Sequence, residues 1–218
     1  MKNYQNLFNL SSMFLLIAFC SSCVSISYAP KVSLDISPKT IKKTVMVERF
    51  IDNSPEKDKN NPFGGFSVTN KDALVSELAL EVTNAIISDF SVNSVFKEIS
   101  RRIENPDFVM KGEIKKFKGR SRMTTYAIVS MCTYVGILTW YFGTPIRANE
   151  TEMELVISLY NSKSDLIGVY SGVFKDKTLA SMYKEISQAL PSQTNRSFSS
   201  AVSIIRDQIM NDIAKYEN

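Results

Sequence analysis

The sequence predicts an α+β domain: a single mixed sheet of about five strands with two long helices packed on one face, plus an apolar insertion between the third and fourth strands. Three observations carry this. Phe108–Phe117 and Glu150–Tyr160 alternate apolar and polar side chains with the period of two that a half-buried strand requires. Leu74, Leu78, Val82, Ile86 and Phe90, and again Phe198, Val202, Ile205, Ile209, Ile213 and Tyr216, recur at helical spacing, so each set marks one side of an amphipathic helix. The predicted order is strand, helix, strand, strand, insertion, strand, strand, helix, which suits one mixed sheet covered on one side.

Taken from its start, the chain carries Lys2 as the only formal side-chain charge in its first eleven residues, and Met13–Phe19 then form an unbroken apolar run. This is the layout of a secretory signal peptide, and the run is too short to cross a bilayer, which takes ~20 apolar residues. Ser21 and Ser22 lead directly into Cys23. The stretch resembles the bacterial lipoprotein signal, in which small residues precede a cysteine that is diacylated on sulfur and cut on its amino side. The resemblance implies a signal peptide over residues 1–22 and a lipidated Cys23 that anchors the chain to a membrane. Cys20 stands where Leu is usual, and bulky Phe19 before it excludes Cys20 as the modified residue. A simple secretory signal with two incidental cysteines is the alternative. Residues 23–43 mix Ser, Lys and prolines without periodicity and read as the lipidated terminus and an extended tether. Its twenty residues after Cys23 could reach about 65 Å.

The domain is expected over 44–218, beginning with a buried strand at Thr44–Asp52, rich in β-branched residues, and a surface loop at Asn53–Gly65. Thr69, with Asp72 three residues on, is positioned to cap the first long helix. Val95–Ile99 reads as a short strand, Asn105-Pro106 as a turn, and Phe108–Phe117 as the third strand, with Phe108, Met110, Gly112 and Ile114 on one face. In the strand Glu150–Tyr160, Met153, Leu155, Ile157 and Leu159 face inward and Glu152 and Glu154 outward. Asn161–Asp165 is a hairpin turn, and Leu166–Phe174 is the returning strand. A short helix is expected at 179–189, ended by Pro191, before the carboxy-terminal helix.

Removing residues 1–22 from 218 leaves 196, a length suited to one domain, and 44% hydrophobic with 22% charged residues is ordinary globular composition. The formal net charge of +4 falls to +3 once Lys2 leaves, too slight to argue for nucleic acid. The chain has no histidine, which removes the commonest general base and metal ligand and every Ser-His-Asp or Cys-His arrangement. After Cys20 and Cys23 only Cys132 remains, in an apolar run where a thiol is inert. Glu152 and Glu154 share a strand face but read as solvated charges, and Gly64-Gly65 lacks the Lys-Ser/Thr of a phosphate loop. No catalytic, cofactor-binding or metal-binding residue is expected, and the protein is not expected to be an enzyme.

From Met123 to Ile146 the chain runs 24 residues without a formal charge, preceded by Lys115, Lys116, Lys118, Arg120 and Arg122. Three readings of 123–146 stand open. It has the length and basic flank of a spanning helix, although Thr124, Thr125, Ser130, Thr133, Gly136 and Thr139 dilute its apolarity. It could be a core segment closing one end of the sheet. Or it is a membrane- or partner-facing insertion, with Trp140, Tyr141 and Phe142 at an interface and the preceding cations meeting anionic headgroups.

The strand ending Phe-Ile-Asp at 52, the first long helix, Val95-Phe-Lys-Glu-Ile99, Asp107-Phe-Val-Met-Lys-Gly-Glu-Ile114 and the two-stranded hairpin together resemble small envelope lipoproteins on the fold of the TolB amino-terminal domain. Penicillin-binding-protein activator and curli-secretion lipoproteins share that layout, and the likeness runs over about 44–217. It implies a non-enzymatic binding or assembly module in the bacterial envelope, lipid-anchored on the periplasmic side of the outer membrane and engaging another envelope protein. The alternative is an accessory lipoprotein of an envelope lipid or solute transport system whose apolar insertion contacts lipid.

Overall fold

In a computed structural model, residues 27–31, 40–60, 65–70, 73–181, 183 and 186–213 are described. Cys23 and the expected signal peptide lie outside them. The elements in order are β1 (Ile41–Val47), β2 (Ile51–Asp52), α1 (Glu56–Lys59), β3 (Phe66–Ser67), α2 (Leu78–Val92), β4 (Phe96–Ser100), β5 (Phe108–Met123), α3 (Thr125–Ser130), α4 (Tyr134–Tyr141), β6 (Arg147–Asn161), β7 (Leu166–Ala180) and α5 (Ile186–Ile213). They build one mixed sheet in the order β4-β1-β5-β6-β7, seven strands once β2 and β3 are counted on the flank of β5. The two strands beyond the expected five are two-residue pieces. The 16-residue β5 is longer than any single partner on its β1 side, so β1, β2 and β3 take successive stretches of it. The strand expected at Thr44–Asp52 is accordingly broken at Glu48–Phe50. There Phe50 turns inward over Gly112, where a Cβ would stand 2.2 Å from its ring, and the Phe50 N–H donates to Thr83 Oγ1 of α2 at 3.0 Å.

β5, β6 and β7 form an antiparallel meander of long strands. Its inner face carries Met110, Ile114, Phe117, Met153, Leu155, Ile157 and Leu159, all buried. The sequence ended the third strand at Phe117, but β5 continues to Met123 because a bulge between Ile114 and Lys116 absorbs one residue. Before it the inward residues are even-numbered and after it odd-numbered, so Met110, Ile114 and Phe117 all reach the same core. The adjacent lysines at 115 and 116 look like a strand end in sequence for this reason.

Both helices lie on the inner face, with Leu78, Val82, Ile86 and Phe90 of α2 and Phe198, Val202, Ile205, Ile209 and Ile213 of α5 buried in one core. The expected phases hold for these residues, whereas Leu74, expected on the first helix, precedes it and is bridged to Tyr28, and Tyr216 lies outside the described residues. The helix limits differ from expectation. Helix α2 starts at Leu78, and Thr69 is buried with its hydroxyl donating to the Asp58 carbonyl at 2.9 Å rather than capping a helix. Asp72 lies outside the described residues. Pro191 does not end a helix: it is the sixth residue of the 28-residue α5, where it forfeits one backbone bond near the amino end. The expected surface loop at 53–65 contains α1, in which Asp58 is buried.

The expected tether is also corrected. Tyr28 is 1% exposed, its N–H donates to the Ala73 carbonyl at 2.9 Å, and its ring lies 6.2 Å from that of Phe117. Nearby, the Lys31 N–H donates to Asn195 Oδ1 of α5 at 3.0 Å and the Ser199 hydroxyl donates to the Lys31 carbonyl at 3.2 Å. Residues 28–31 therefore belong to the domain, and β1 begins at Ile41 rather than at Thr44.

Two features tie the helices down. Asp89 of α2 and Arg206 of α5 form an ion pair at 3.2 Å with side chains only 3% and 4% exposed, and Asn93 Nδ2 donates to Asp89 Oδ1 at 3.1 Å. At Gly172 of β7 an added Cβ would stand 2.1 Å from the Ala201 carbonyl oxygen, so α5 lies directly on the strand. Asp89→Ala should cost roughly 3–5 kcal/mol by leaving Arg206 buried without its carboxylate, whereas Asp89→Leu with Arg206→Met should recover most of it; urea unfolding of the two variants checks this. Gly172→Val, which must lift α5 off β7, should cost about 2–3 kcal/mol in the same measurement.

Candidate functional site

The segment 123–146 is neither a spanning helix nor a closed core element. Among the described residues no helix is long and apolar enough to cross a membrane. The segment forms α3 and α4 at the tip of the β5–β6 hairpin. Its hydroxyls, read in sequence as dilution of apolarity, are the fasteners of that tip. Thr124 Oγ1 accepts from the Ala127 N–H at 3.1 Å and starts α3, and Thr133 Oγ1 accepts from the Gly136 N–H at 3.1 Å and starts α4. Ser130 Oγ accepts from Trp140 Nε1 at 2.8 Å and donates to the Ala127 carbonyl at 2.9 Å, joining the two helices. Gly143, at φ +82°, takes the left-handed turn that leads out of α4. The base is sewn to the sheet by the Thr124 N–H to the Ile146 carbonyl at 2.9 Å and the Ile146 N–H to the Ala180 carbonyl at 3.0 Å.

So fastened, the tip turns apolar side chains outward. Phe142 is 87% and Val129 64% exposed, and Tyr126, Ile128, Leu138 and Tyr141 are exposed beside them. Tyr183, from beyond β7, joins the patch by donating its hydroxyl to the Tyr141 carbonyl. Of the three aromatics singled out in sequence, Tyr141 and Phe142 are exposed and Trp140 is half-buried against Ser130. Cys132 is exposed at the α3–α4 turn, not buried as its apolar neighbourhood implied.

The basic stretch ends elsewhere than beside these aromatics. Lys116, Lys118, Arg120 and Arg122 repeat every second residue, and that spacing puts them on one face of β5. They line the outer face of the sheet, opposite Glu150 and Glu152 of β6, with Lys175 and Lys177 of β7 on the far side. Glu150 is the hub: Lys118 lies at 3.0 Å, Arg120 at 3.3 Å, Arg122 at 2.8 Å and Lys177 at 3.7 Å. Glu152 pairs with Lys116 at 2.8 Å and Lys175 at 2.5 Å. Lys115, at the bulge, is exposed. Four of the five candidate cations are thus held by carboxylates, and only Arg122 lies next to the tip. Sequence reasoning missed Glu150, Lys175, Lys177 and the exposed Tyr126, Val129, Leu138 and Tyr183. The alternate-residue spacing of the cations was the signal that could have placed Glu150 opposite them.

Burial alone would raise the Glu150 carboxyl, but the hydrogen bond and charge of Lys118, with Arg122 and Arg120, outweigh it and hold the group at about 2. For Glu152 burial likewise pulls upward, and Lys116 and Lys175 hold it below its ordinary value. These carboxylates are locked anions, unsuited to passing protons near neutrality. A polar groove of about 750 Å³ lies where the Lys31 segment crosses α5 and is lined in part by Asp89, Asn195, Ser199 and Arg206, but its buried charges already pair with each other. Among the described residues no group of three His, Cys, Asp or Glu side chains is placed to hold a metal ion.

No protein-family model matches the sequence, and no curated protein aligns with it significantly. Among solved structures, a DUF330-family protein from Xanthomonas campestris superposes with a TM-score of 0.55 at 9% identity, over 88% of this chain and 99% of that one. A neuraminyllactose-binding hemagglutinin homolog from Helicobacter pylori gives 0.45 at 12% identity, over 85% and 97%. The lipoprotein GNA1162 from Neisseria meningitidis gives 0.29 at 11% identity, over 78% and 99%. The first of these shows a shared fold, and no residue role passes across at such identities.

The Glu150 cluster makes a pH prediction. Because the folded group sits near 2 against an ordinary 4.5, its contribution is complete above about pH 4.5 and is lost as the pH falls towards 2. Glu150→Gln should cost roughly 1–3 kcal/mol at pH 7, between the exposed and buried limits for ion pairs. The difference between wild type and variant should shrink on acidification through that window, read as unfolding midpoints at a series of pH values.

Proposed function

We propose that this chain is a non-enzymatic, lipid-anchored protein of the bacterial envelope, held at the periplasmic side of the outer membrane and acting as a binding or assembly module. The observation that carries the reading is the apolar tip. Folding alone leaves Phe142, Val129, Leu138 and Tyr141 in water, although the hairpin that presents them is fastened by hydrogen bonds at every turn. Several large apolar side chains left exposed on one small hydrogen-bonded tip mark a surface made for contact. The anchor is read from Met13–Phe19 and Ser21-Ser22-Cys23. The TolB amino-terminal-domain type of layout, with its strand, long helix, paired strands and hairpin, is our finer reading of the fold. The same tip also supports the transport-accessory reading if what it touches is lipid.

Cys23→Ala should abolish processing and membrane retention, because no other side chain at the cut site can take a diacylglycerol. Mass spectrometry of the mature amino terminus, with fractionation of the envelope, checks this. An unmodified terminus at another residue would remove the lipoprotein reading.

A further inference from the structure

We propose that the tip at the end of the β5–β6 hairpin sits in the headgroup region of the same bilayer that holds the Cys23 lipid, so that the domain is attached to the membrane at two points. The proposal rests on the lipoprotein reading above and adds an orientation to it.

The first argument is the length of the leash. Tyr28 is built into the core and lies only five residues after Cys23. Five residues span at most about 18 Å, so on the lipoprotein reading the anchor lies within that distance of Tyr28, whereas a free tether of twenty residues would let it lie up to about 65 Å away. The second argument is where Tyr28 docks. Its ring meets Phe117 at 6.2 Å, and it is paired with Leu74 at the end of the segment whose Phe66 and Ser67 pair with Ser121 and Arg120. Lys31 meets Asn195 and Ser199 in the half of α5 that follows the end of β7. All of these lie in the part of the domain towards the tip. From Phe117 to the tip base at Met123 is six residues of strand, about 20 Å. The reach of Cys23 from Tyr28 and the distance from Phe117 to the tip base are of the same size, so a bilayer that holds the Cys23 lipid and also meets the tip needs the leash nearly extended towards the tip.

The chemistry agrees with the geometry. The tip offers aromatic and aliphatic side chains on a segment without formal charge, the composition that settles at a membrane interface. Along the strands leading back from it, the outer face of the sheet carries six cations, Lys116, Lys118, Arg120, Arg122, Lys175 and Lys177, around the carboxylates of Glu150 and Glu152, with Arg122 the one next to the tip. Adding the neighbouring Glu154 still leaves an excess of positive charge. Arg122 and Lys177, with side chains 47% and 62% exposed, are placed towards the tip and face the level of anionic headgroups.

The test uses the full-length acylated protein in vesicles of phosphatidylethanolamine and phosphatidylglycerol containing a lipid spin-labelled near the headgroup. Trp140 is the only tryptophan, so Phe142→Trp in a Trp140→Phe background places a single reporter on the most exposed side chain of the tip. Val92→Trp in the same background serves as the control at the far end of α2, where Val92 is also exposed. The expected result is a blue-shifted emission at 142 that the labelled lipid quenches several-fold more strongly than at 92. High salt should weaken the effect, and Tyr141→Ser should reduce it while leaving the protein in the membrane through Cys23. If Cys23 is acylated and the protein retained but the two reporters behave alike, the two-point attachment is overturned and the lipoprotein reading stands. If emission at 142 responds to protein concentration and not to lipid, a second copy covers the tip and the proposal is overturned. An unmodified Cys23 overturns the lipoprotein reading and the proposal with it.

Discussion

The pairing of β5 with β6, in register from Phe108↔Asn161 to Met123↔Arg147 apart from one bulge, is the constraint on which the other features of the molecule depend. It holds an apolar face against the helices and a charged face towards water along the same strands, the usual condition of an antiparallel sheet covered on one side. It also carries the tip at its closed end, where β7 still pairs with β6 as far as Arg147↔Ala180. The bulge at Lys115 makes the two requirements compatible. A regular strand would place either Met110 and Ile114 or Phe117, Gly119 and Ser121 on the core side, not both. One extra residue lets the apolar set stay inside and the alternate cations of residues 116–122 face out opposite Glu150 and Glu152.

What could be read from the sequence follows from how local the signal is. The phases of α2 and α5, the inward residues of β6 and the Asn161–Asp165 turn each rest on contacts within one element, and they agree with the structure. In the turn, Asn161 Oδ1 accepts from the Lys163 and Asp165 N–H groups at 2.8 and 2.9 Å. The misreadings are of another kind. Thr69 has the look of a cap, but its hydroxyl is taken by the Asp58 carbonyl eleven residues back. Tyr28 has the look of a tether residue, but its partners Ala73, Leu74 and Phe117 come from distant parts of the chain. Pro191 looks like a stop, yet tertiary packing of Leu190 and Phe198 on either side holds the helix through it. The tip is intermediate. Its lack of charge was visible, but whether its hydroxyls diluted an apolar run or capped two short helices is decided by partners at three residues' distance and by the hairpin that brings the two helices together.

The open edges of the sheet show the same division between covered and available surface. β4 and β7 are the edge strands, and a long edge such as β7 invites pairing with another chain. Two devices oppose this. Gln208 of α5 reaches over the edge, accepting from the Ser171 N–H and donating to the Ser171 carbonyl, both at 3.1 Å. Further along, Lys175 and Lys177 project from the same strand, and edge lysines discourage a neighbouring strand by charge. The edge is thus protected while the tip is not, although an exposed apolar patch is a solubility cost of the same order of concern.

That contrast explains why the tip is best understood together with the amino terminus. The stretch read as a lipoprotein signal and the tip in the middle of the chain are separated by about a hundred residues of sequence. On the lipoprotein reading, building Tyr28 into the core beside Phe117 shortens the leash from Cys23 to five residues and starts it beside the middle of β5. A free tether of twenty residues would have let the domain present any face to the membrane or none. On the proposed anchoring at Cys23, a leash of five leaves few orientations, and the tip is a face whose exposed side chains, Phe142 above all, a bilayer could cover.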